Sequence, residues 1–197
     1  MAATQFLTYF REIRMNTQDK KSRPTDAPAA PDAIALLKAD HRAVEKIFAA
    51  FEKAADDDLE AKGTLARRAC EELTVHAIIE EELLYPAAHK ALEKQDEIDV
   101  DEAYVEHYLV KTLIEKFDSL RPGDDGFDAT FKVMSELVKH HVEEEESELF
   151  PELRESGIDL VALGVKLAAR KNELMKKLDA AGSKLVGDRS LSFIRAA

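Results

Sequence analysis

The sequence predicts an all-α protein: an antiparallel up-down-up-down four-helix bundle with an accessory C-terminal helix. Apolar residues recur at steps of three and four along four successive segments, as on the buried face of an amphipathic helix. Leu, Ala, Glu and Lys, all good helix formers, dominate the composition. The chain has only 7 Gly and 6 Pro in 197 residues. That is too few for an all-β protein built on tight turns.

The pattern divides the chain into three parts. Residues 1–32 are predicted to be an N-terminal segment and Pro-rich linker, residues 33–155 the bundle, and residues 156–197 an accessory helix and tail. The linker, residues 18–32, holds three Pro and few apolar groups. Residues 1–17 form either a short amphipathic helix or a loose tail, and both alternatives remain open.

The first two predicted helices each carry an inward stripe that includes a histidine. The stripe of the first is Ile34, Leu37, His41, Val44, Phe48 and Phe51. That of the second is Leu65, Ala69, Leu73, His76, Glu80 and Leu83. Three consecutive Asp, 56–58, separate the two helices. Pro86 is predicted to kink or end the second helix, because its ring removes a hydrogen bond and clashes with the preceding turn.

The next two predicted helices repeat this arrangement. The stripe of the third is Ala103, His107, Val110, Ile114 and Phe117, and Arg121-Pro122-Gly123 stops that helix. The stripe of the fourth is Phe127, Phe131, Met134, Val138, His141, Glu145 and Leu149. This helix is predicted to end near Pro151. The accessory helix, about residues 158–181, carries Leu160, Leu163, Leu167 and Leu174, and the last dozen residues are predicted to be loose.

The bundle contains an internal duplication. HAIIEEELLYP (76–86) and HVEEEESELFP (141–151) share His, Glu, Leu and Pro at the same places. His107 follows His41 by 66 residues, and His141 follows His76 by 65. Two helix pairs related by a pseudo-twofold axis therefore form one bundle, and short connections favour up-down-up-down order.

Charge and composition exclude several classes of partner. The formal net charge of -12 repels phosphate backbones and anionic membranes, so we expect no nucleic-acid or membrane partner. No apolar run approaches the length of a membrane span, and the N-terminus lacks the apolar core of a secretion signal. We therefore expect a cytoplasmic protein. Cys70, the only cysteine, cannot form an internal disulfide, and we assign it no metal role.

Four histidines on four inward stripes indicate a metal site, because each would otherwise need its own polar partner in an apolar core. Two glutamates join them, one turn after a histidine on the same helix face. A buried carboxylate is costly without a counter-charge, and two metal ions would supply it. Imidazoles with bridging carboxylates suit a di-iron or di-manganese site. The predicted ligands are His41, His76, Glu80, His107, His141 and Glu145.

Neighbouring candidates are interpreted differently. His140 is rotated off its stripe by about 100°, and His89 lies off the stripe beyond Pro86. The other members of the acidic runs are interpreted as a solvated face: Glu81, Glu82, Glu143, Glu144 and Glu146. Glu45, four residues after His41, is a candidate for reaching the metal or supporting a ligand. Tyr104, one turn before His107, either faces the pocket or packs.

The ordered set resembles the hemerythrin-like (HHE cation-binding) family over roughly residues 33–155. The resemblance rests on His41, on His76-x-x-x-Glu80 ending in Leu-Tyr-Pro, on His107, and on His141-x-x-x-Glu145 ending in Leu-Phe-Pro. It implies two iron ions, oxo- or hydroxo-bridged, in an antiparallel bundle. Manganese and zinc accept the same ligands and are the alternatives.

The resemblance departs from the family's oxygen carriers at one position. Their third helix carries His-x-x-x-His, whereas this chain has His107 followed by Lys111. One iron is therefore left with fewer protein ligands, or Glu45, Tyr104 or water fills the gap. The family's four-His relatives imply a protein that binds or senses oxygen, peroxide or nitric oxide. The alternatives are a di-iron enzyme with catalase-like or nitric oxide-handling activity, and a helical interaction module that a metal staples.

Overall fold

The structure, a computed structural model, describes residues 32–92 and 97–181, and every regular element within them is helical. Four long helices form the bundle, two short ones extend it, and the accessory helix follows, which confirms the predicted fold class. The helices are α1 (Ala33–Lys53), α2 (Leu59–Ile79), α3 (Tyr85–Ala91), α4 (Glu97–Phe117), α5 (Phe127–Glu144), α6 (Phe150–Glu155) and α7 (Leu160–Ala181). The predictions for residues 1–17 and for the last dozen residues lie outside the described residues.

Acidic residues mark the helix starts. The carboxylate of Asp32 accepts the backbone N–H of Ala35 at 2.7 Å, and Asp58 accepts that of Ala61 at 3.0 Å. Both are N-caps that satisfy a backbone donor with no partner inside the helix. After α4 the chain turns through Gly123, whose φ of 92° favours glycine. The predicted breaks at residues 56–58 and 121–123 are confirmed.

Neither proline ends its helix. The prediction that the fourth helix ends near Pro151 is therefore wrong, and of the two alternatives for Pro86, a kink or an end, the end is excluded. Each long helix passes into a π-helical turn, Glu80–Leu84 or Glu145–Leu149, and then into α3 or α6. Pro86 and Pro151 lie in the first turn of those short helices. The wider π turn accommodates a residue that cannot donate its own backbone hydrogen bond. Each π turn begins at a glutamate of the predicted site, so the wider turn and the site coincide.

The helices pack in a closed ring. α1 contacts α2, α4 contacts α5, and the pairs meet through α1 with α5 and α2 with α4. α7 lies outside this ring, against α1, α2 and the first π turn. None of the described helices is long and apolar enough to span a membrane.

The apolar core is divided into two clusters by a layer of histidines and glutamates. One, the aromatic cluster, includes Phe48, Phe51, Phe117, Phe127 and Phe131. The other, the α7-side cluster, includes Ile34, Leu37, Tyr85 and Phe150, with Leu163, Leu167 and Leu174 from α7. In α1 and α4 the histidine lies between residues of the two clusters, whereas α2 and α5 run from the aromatic cluster towards the α7-side cluster at or beyond their ends. The polar layer is therefore enclosed by apolar packing above and below.

Candidate metal centre

The structure brings all six predicted site residues into one buried layer. The Nε2 atoms of His41 and His76 lie 3.2 Å apart, and those of His107 and His141 lie 3.1 Å apart. Each imidazole comes from a different bundle helix and is at most 9% exposed. Their role as metal ligands remains a prediction, but their convergence places four nitrogen donors at the centre of the bundle.

The two glutamates lie between the histidine pairs. Glu80 Oε2 is 3.1 Å from His76 Nε2 and 3.4 Å from His107 Nε2. Glu145 Oε2 is 3.4 Å from His41 Nε2 and 3.7 Å from His141 Nε2. Each carboxylate therefore connects the two halves of the duplication, the position that a bridging ligand between two ions requires.

The donors form two overlapping groups. His41, His76, Glu80 and Glu145 make one group, and Glu80, His107 and His141 make the other, with the ligand atoms of each within 4.8 Å of one another. Both carboxylate oxygens of Glu80 and Oε2 of Glu145 are buried without a hydrogen-bond partner. A bound cation would satisfy these oxygens, whereas leaving them unpaired is costly. The donor set therefore fits a pair of metal ions.

The pKa values of the buried glutamates and histidines in this layer also indicate that a counter-charge would be stabilising. Burial and the nearby carboxylate of Glu145 raise the pKa of Glu80 well above its ordinary value. The pKa of Glu145 falls to about 2, because His141 and His41 outweigh the burial that acts in the opposite direction. Burial lowers the pKa of His76 to about 4. Burial thus disfavours the charged form of both Glu80 and His76 in this layer.

Four further carboxylates, here called the outer carboxylates, face the outward nitrogens of the histidines. Three accept from Nδ1: Glu146 from His41 at 2.9 Å, Glu81 from His107 at 3.0 Å, and Glu106 from His141 at 2.8 Å. The fourth, Asp40, lies 3.7 Å from His76 Nδ1, beyond hydrogen-bond distance. An Nδ1–H donated outward leaves the Nε2 lone pair directed at the centre.

The interpretation of Glu81 and Glu146 as solvated residues is wrong. Each follows a predicted ligand by one residue, on the outer side of the π turn, and is only partly exposed. The duplication is the signal that could have found them. Glu81 matches Glu146 at an offset of 65, and Asp40 matches Glu106 at 66, so the outer carboxylates obey the same twofold relation as the inner donors.

Neither predicted substitute for a fifth histidine lies among the donors. Glu45 is partly exposed and pairs with Arg42. The Tyr104 hydroxyl donates to the backbone carbonyl of Glu81 at 3.4 Å. Lys111 pairs with Glu81, its Nζ 2.5 Å from Oε2, so the cation at this position supports the carboxylate that orients His107.

Tyr85 is the site residue that sequence reasoning missed. It is fully buried, and its hydroxyl donates to Glu145 Oε1 at 3.0 Å while lying 3.3 Å from His107 Nε2. Its counterpart in the duplication is Phe150, which has no hydroxyl. The signal in the sequence was the difference between Leu-Tyr-Pro and Leu-Phe-Pro in the duplication. Because Phe150 is apolar, Tyr85 was not distinguished from a residue that only packs.

The neighbouring histidines lie away from the inner donors, as predicted. The His140 side chain is 59% exposed and lies 3.2 Å from Glu144, and His89 faces Asp101 at 3.6 Å. Glu82 and Glu143 are exposed. Cys70 packs in the aromatic cluster, where burial raises the pKa of its thiol to about 12.

A small cavity adjoins the four imidazoles. It has a volume of about 30 Å³, which holds one or two water-sized molecules. Apolar side chains of the aromatic cluster, such as Val44, Val110 and Val138, line it beside the histidines. Lys111 also lines it and supplies a positive charge at its edge. The cavity therefore has room only for a small molecule.

The fold and the site together define a class of protein: four-helix bundles that hold metal through inward His and Glu side chains. Comparison with known families agrees. The hemerythrin HHE cation binding domain family matches residues 32–153, and this chain belongs to that family.

Two relatives match parts of the chain, and one of them is described as hemerythrin-like. A DNA nickase from Nostoc is 30% identical over 121 residues, covering 60% of this chain and 32% of that protein. A hemerythrin-like protein from Schizosaccharomyces pombe is 27% identical over 112 residues, covering 57% of this chain and 54% of that protein. The chain thus spans about a third and about half of these two relatives.

A solved structure shares the fold. A hemerythrin HHE cation binding domain-containing protein from Mycobacterium kansasii superposes with a TM-score of 0.68 at 24% identity. The match covers 82% of this chain and 97% of that one. At this identity the likeness supports the helical architecture alone.

Proposed function

We propose that this protein binds a non-haem di-iron centre through His41, His76, Glu80, His107, His141 and Glu145, and that it uses the centre to bind or sense oxygen, peroxide or nitric oxide. One observation carries the proposal: four buried Nε2 atoms and three unpartnered carboxylate oxygens converge in two overlapping groups. Imidazole with carboxylate suits iron, manganese and zinc. Iron is proposed because bound iron supplies redox chemistry and open coordination to small ligands.

The protein's own residues would determine what reaches the centre. The outer carboxylates hold the imidazole rings in one orientation, and the Tyr85 hydroxyl holds Glu145. The aromatic cluster beside the cavity excludes bulk water and large molecules. Lys111, at the cavity edge, favours anionic or readily polarised ligands. The expected ligands are therefore oxygen, peroxide and nitric oxide.

A second candidate is an enzyme that disproportionates peroxide or acts on nitric oxide. The Tyr85 hydroxyl favours it, because a proton donor buried among the donors is what acid–base steps on peroxide need. The likeness to a DNA nickase does not lead us to propose action on DNA. The chain covers only 32% of that protein, and its net charge of -12 repels the phosphate backbone.

The test is metal analysis combined with visible absorption. Protein reduced without oxygen would be measured before and after exposure to air, nitric oxide and peroxide. We expect about two irons per chain and a spectrum that changes with at least one ligand. The Glu80→Ala variant should lose both properties, whereas His89→Ala should keep them. A wild-type protein that holds one zinc, or no metal, would contradict the proposal and favour a structural role.

Peroxide consumption separates the two candidates. Rapid oxygen release from peroxide by the iron protein, abolished in Glu80→Ala, would identify the enzyme. Equal rates in wild type and Glu80→Ala would show that the site performs no such chemistry. Tyr85→Phe, which keeps the ring and removes the hydroxyl, should slow an enzymatic reaction more than it weakens ligand binding.

A further inference from the structure

The two halves of the candidate centre have different surroundings. α7 packs over the side of α1 and α2 that carries His76 and Asp40, and Lys171 on α7 pairs with Asp40. The matching side of α4 and α5, which carries His141 and Glu106, has no such cover among the described helices. The donors therefore follow the twofold relation, whereas the helix packing around them does not.

The residues on the two sides differ accordingly. On the covered side, Leu36, Val75, Ile79 and Leu83 belong to the α7-side cluster or pack against it. At the offsets of the duplication, their counterparts are Glu102, His140, Glu144 and Glu148. Four apolar positions are thus replaced by three carboxylates and an imidazole. An exposed helix face needs polar residues for solubility. Solubility does not explain why the carboxylates line a pocket.

The three carboxylates of this set line a pocket that leads from the surface to the donors. Glu102, Glu106, Glu144 and Glu148 line it, with His141 and Glu145. Glu102 and Glu148 are exposed, whereas Glu145 is 2% exposed. Glu145 Oε2 has no hydrogen-bond partner. The pocket therefore joins exposed carboxylates to a buried one with an unsatisfied oxygen.

A group of three potential ligands borders this pocket, and two of them, Glu106 and Glu144, line it. His140 Nε2 is 3.2 Å from Glu144 Oε1 and 4.0 Å from Glu106 Oε1. Ligand atoms of these three residues lie within 4.8 Å of one another. The other oxygen of Glu106 accepts from His141 Nδ1, so this group is directly connected to a predicted inner ligand.

We propose that this acidic pocket is the path by which divalent transition-metal cations reach the buried centre, and that Glu106, His140 and Glu144 hold the cation on its way. Clustered carboxylates raise the local concentration of cations and their association rate. An imidazole with two carboxylates suits ferrous iron and similar ions. The inference rests on the proposed function, because it needs a centre to be loaded.

The experiment measures the rate of metal uptake by metal-free protein. Co²⁺ is the probe, because its visible bands report binding without oxidation, and the metal content at equilibrium is measured separately. The pocket variant is Glu102→Gln/Glu144→Gln/Glu148→Gln. The control, Glu52→Gln/Glu60→Gln/Glu136→Gln, changes the net charge equally at exposed positions elsewhere. Circular dichroism checks the fold of both.

We expect the pocket variant to load about tenfold more slowly and to reach the wild-type metal content. The control should load within about twofold of wild type. His140→Gln, a single exposed change, should also slow uptake without lowering the final content. The proposed path would be overturned if the pocket variant and His140→Gln both took up Co²⁺ at the wild-type rate. It would also be overturned if uptake slowed equally in the pocket variant and the control. Failure of wild type to bind Co²⁺ would instead reject the centre itself.

Discussion

The two halves of the bundle, residues 33–91 and 97–155, agree at the centre and differ at the periphery. Inner donors and outer carboxylates match between the halves at offsets of 65 and 66 residues. The periphery does not: α7 covers one half, an acidic pocket opens on the other, and Tyr85 faces the centre where its counterpart is Phe150. The proposed site for two ions would require both halves to supply the same ligands. The residues around the site do not share that requirement, so the two sides can have different functions.

The largest expected effect comes from removing matched histidines. His76→Ala and His141→Ala should each lose most of the bound metal, because each removes one imidazole from one of the two donor groups, and these groups share Glu80. Bound metal stabilises the folded state by about 2.7 kcal/mol when its concentration is a hundredfold above Kd. Both variants should therefore melt at lower temperature than the metal-loaded wild type. Metal analysis and calorimetry measure this.

The histidines that lie outside the centre are the matched controls. His140→Ala and His89→Ala should keep the equilibrium metal content and the melting temperature of wild type. If His140→Ala lost the metal while His141→Ala kept it, the assignment of the inner ligand on α5 would be wrong. If His76→Ala lost much more metal than His141→Ala, the two halves would differ at the centre as well as at the periphery.

The next effect concerns the cover that only one half has. Leu167 of α7 is fully buried in the α7-side cluster, so Leu167→Ala should lower the free energy of unfolding by about 3 kcal/mol. Val161, on the same helix, is 55% exposed, and Val161→Ala should change it by less than about 0.5 kcal/mol. Urea denaturation measures both. Equal small effects would show that α7 contributes little to the stability of the bundle.

Much of this arrangement could be predicted from the sequence, because the inward stripe of a helix is periodic. His141 was separated from His140 by that period, and the structure places one at the centre and the other near the surface. The pairing of His76 with Glu80 followed from the same geometry. Periodicity works here because each donor must lie on the face that also carries the apolar core.

Other features could not be found by that rule. Glu81 and Glu146 lie one position after a stripe residue, where a regular α-helix turns a side chain towards solvent. The π turns that begin at Glu80 and Glu145 change the register after each ligand, so the ideal period no longer locates the following residues. The pattern also could not show which outer positions α7 covers, because that depends on packing between elements distant in sequence.

The outer carboxylates provide a third test. Glu81→Gln and Glu146→Gln remove the acceptor charge behind His107 and His41, and each should weaken metal binding by about 10- to 100-fold. Glu143→Gln makes the same charge change at an exposed position and should have little effect. Competition with a chelator gives the affinities. A loss in Glu81→Gln alone would show that the two histidines depend on their carboxylates unequally.

The smallest expected effect compares Glu45 with Lys111, which occupy matching positions four residues after His41 and His107. Lys111 lines the cavity and pairs with Glu81, whereas Glu45 is partly exposed and pairs with Arg42. In the iron-loaded protein, Lys111→Met should weaken the binding of azide, an anionic probe, by about fivefold, or ~1 kcal/mol. Glu45→Gln should leave it unchanged, because an exposed ion pair contributes little.

Titration of the visible absorption with azide measures both constants, and metal content must be shown to be equal beforehand. If added salt reduces the loss of azide affinity in Lys111→Met, the effect comes from the charge of the ammonium group. No loss would mean that Glu81 neutralises Lys111 completely, so that its role is to hold Glu81 against His107. In that case the position at which the family's oxygen carriers have a histidine would act on the metal site only indirectly, through the carboxylate of Glu81 and its contact with His107.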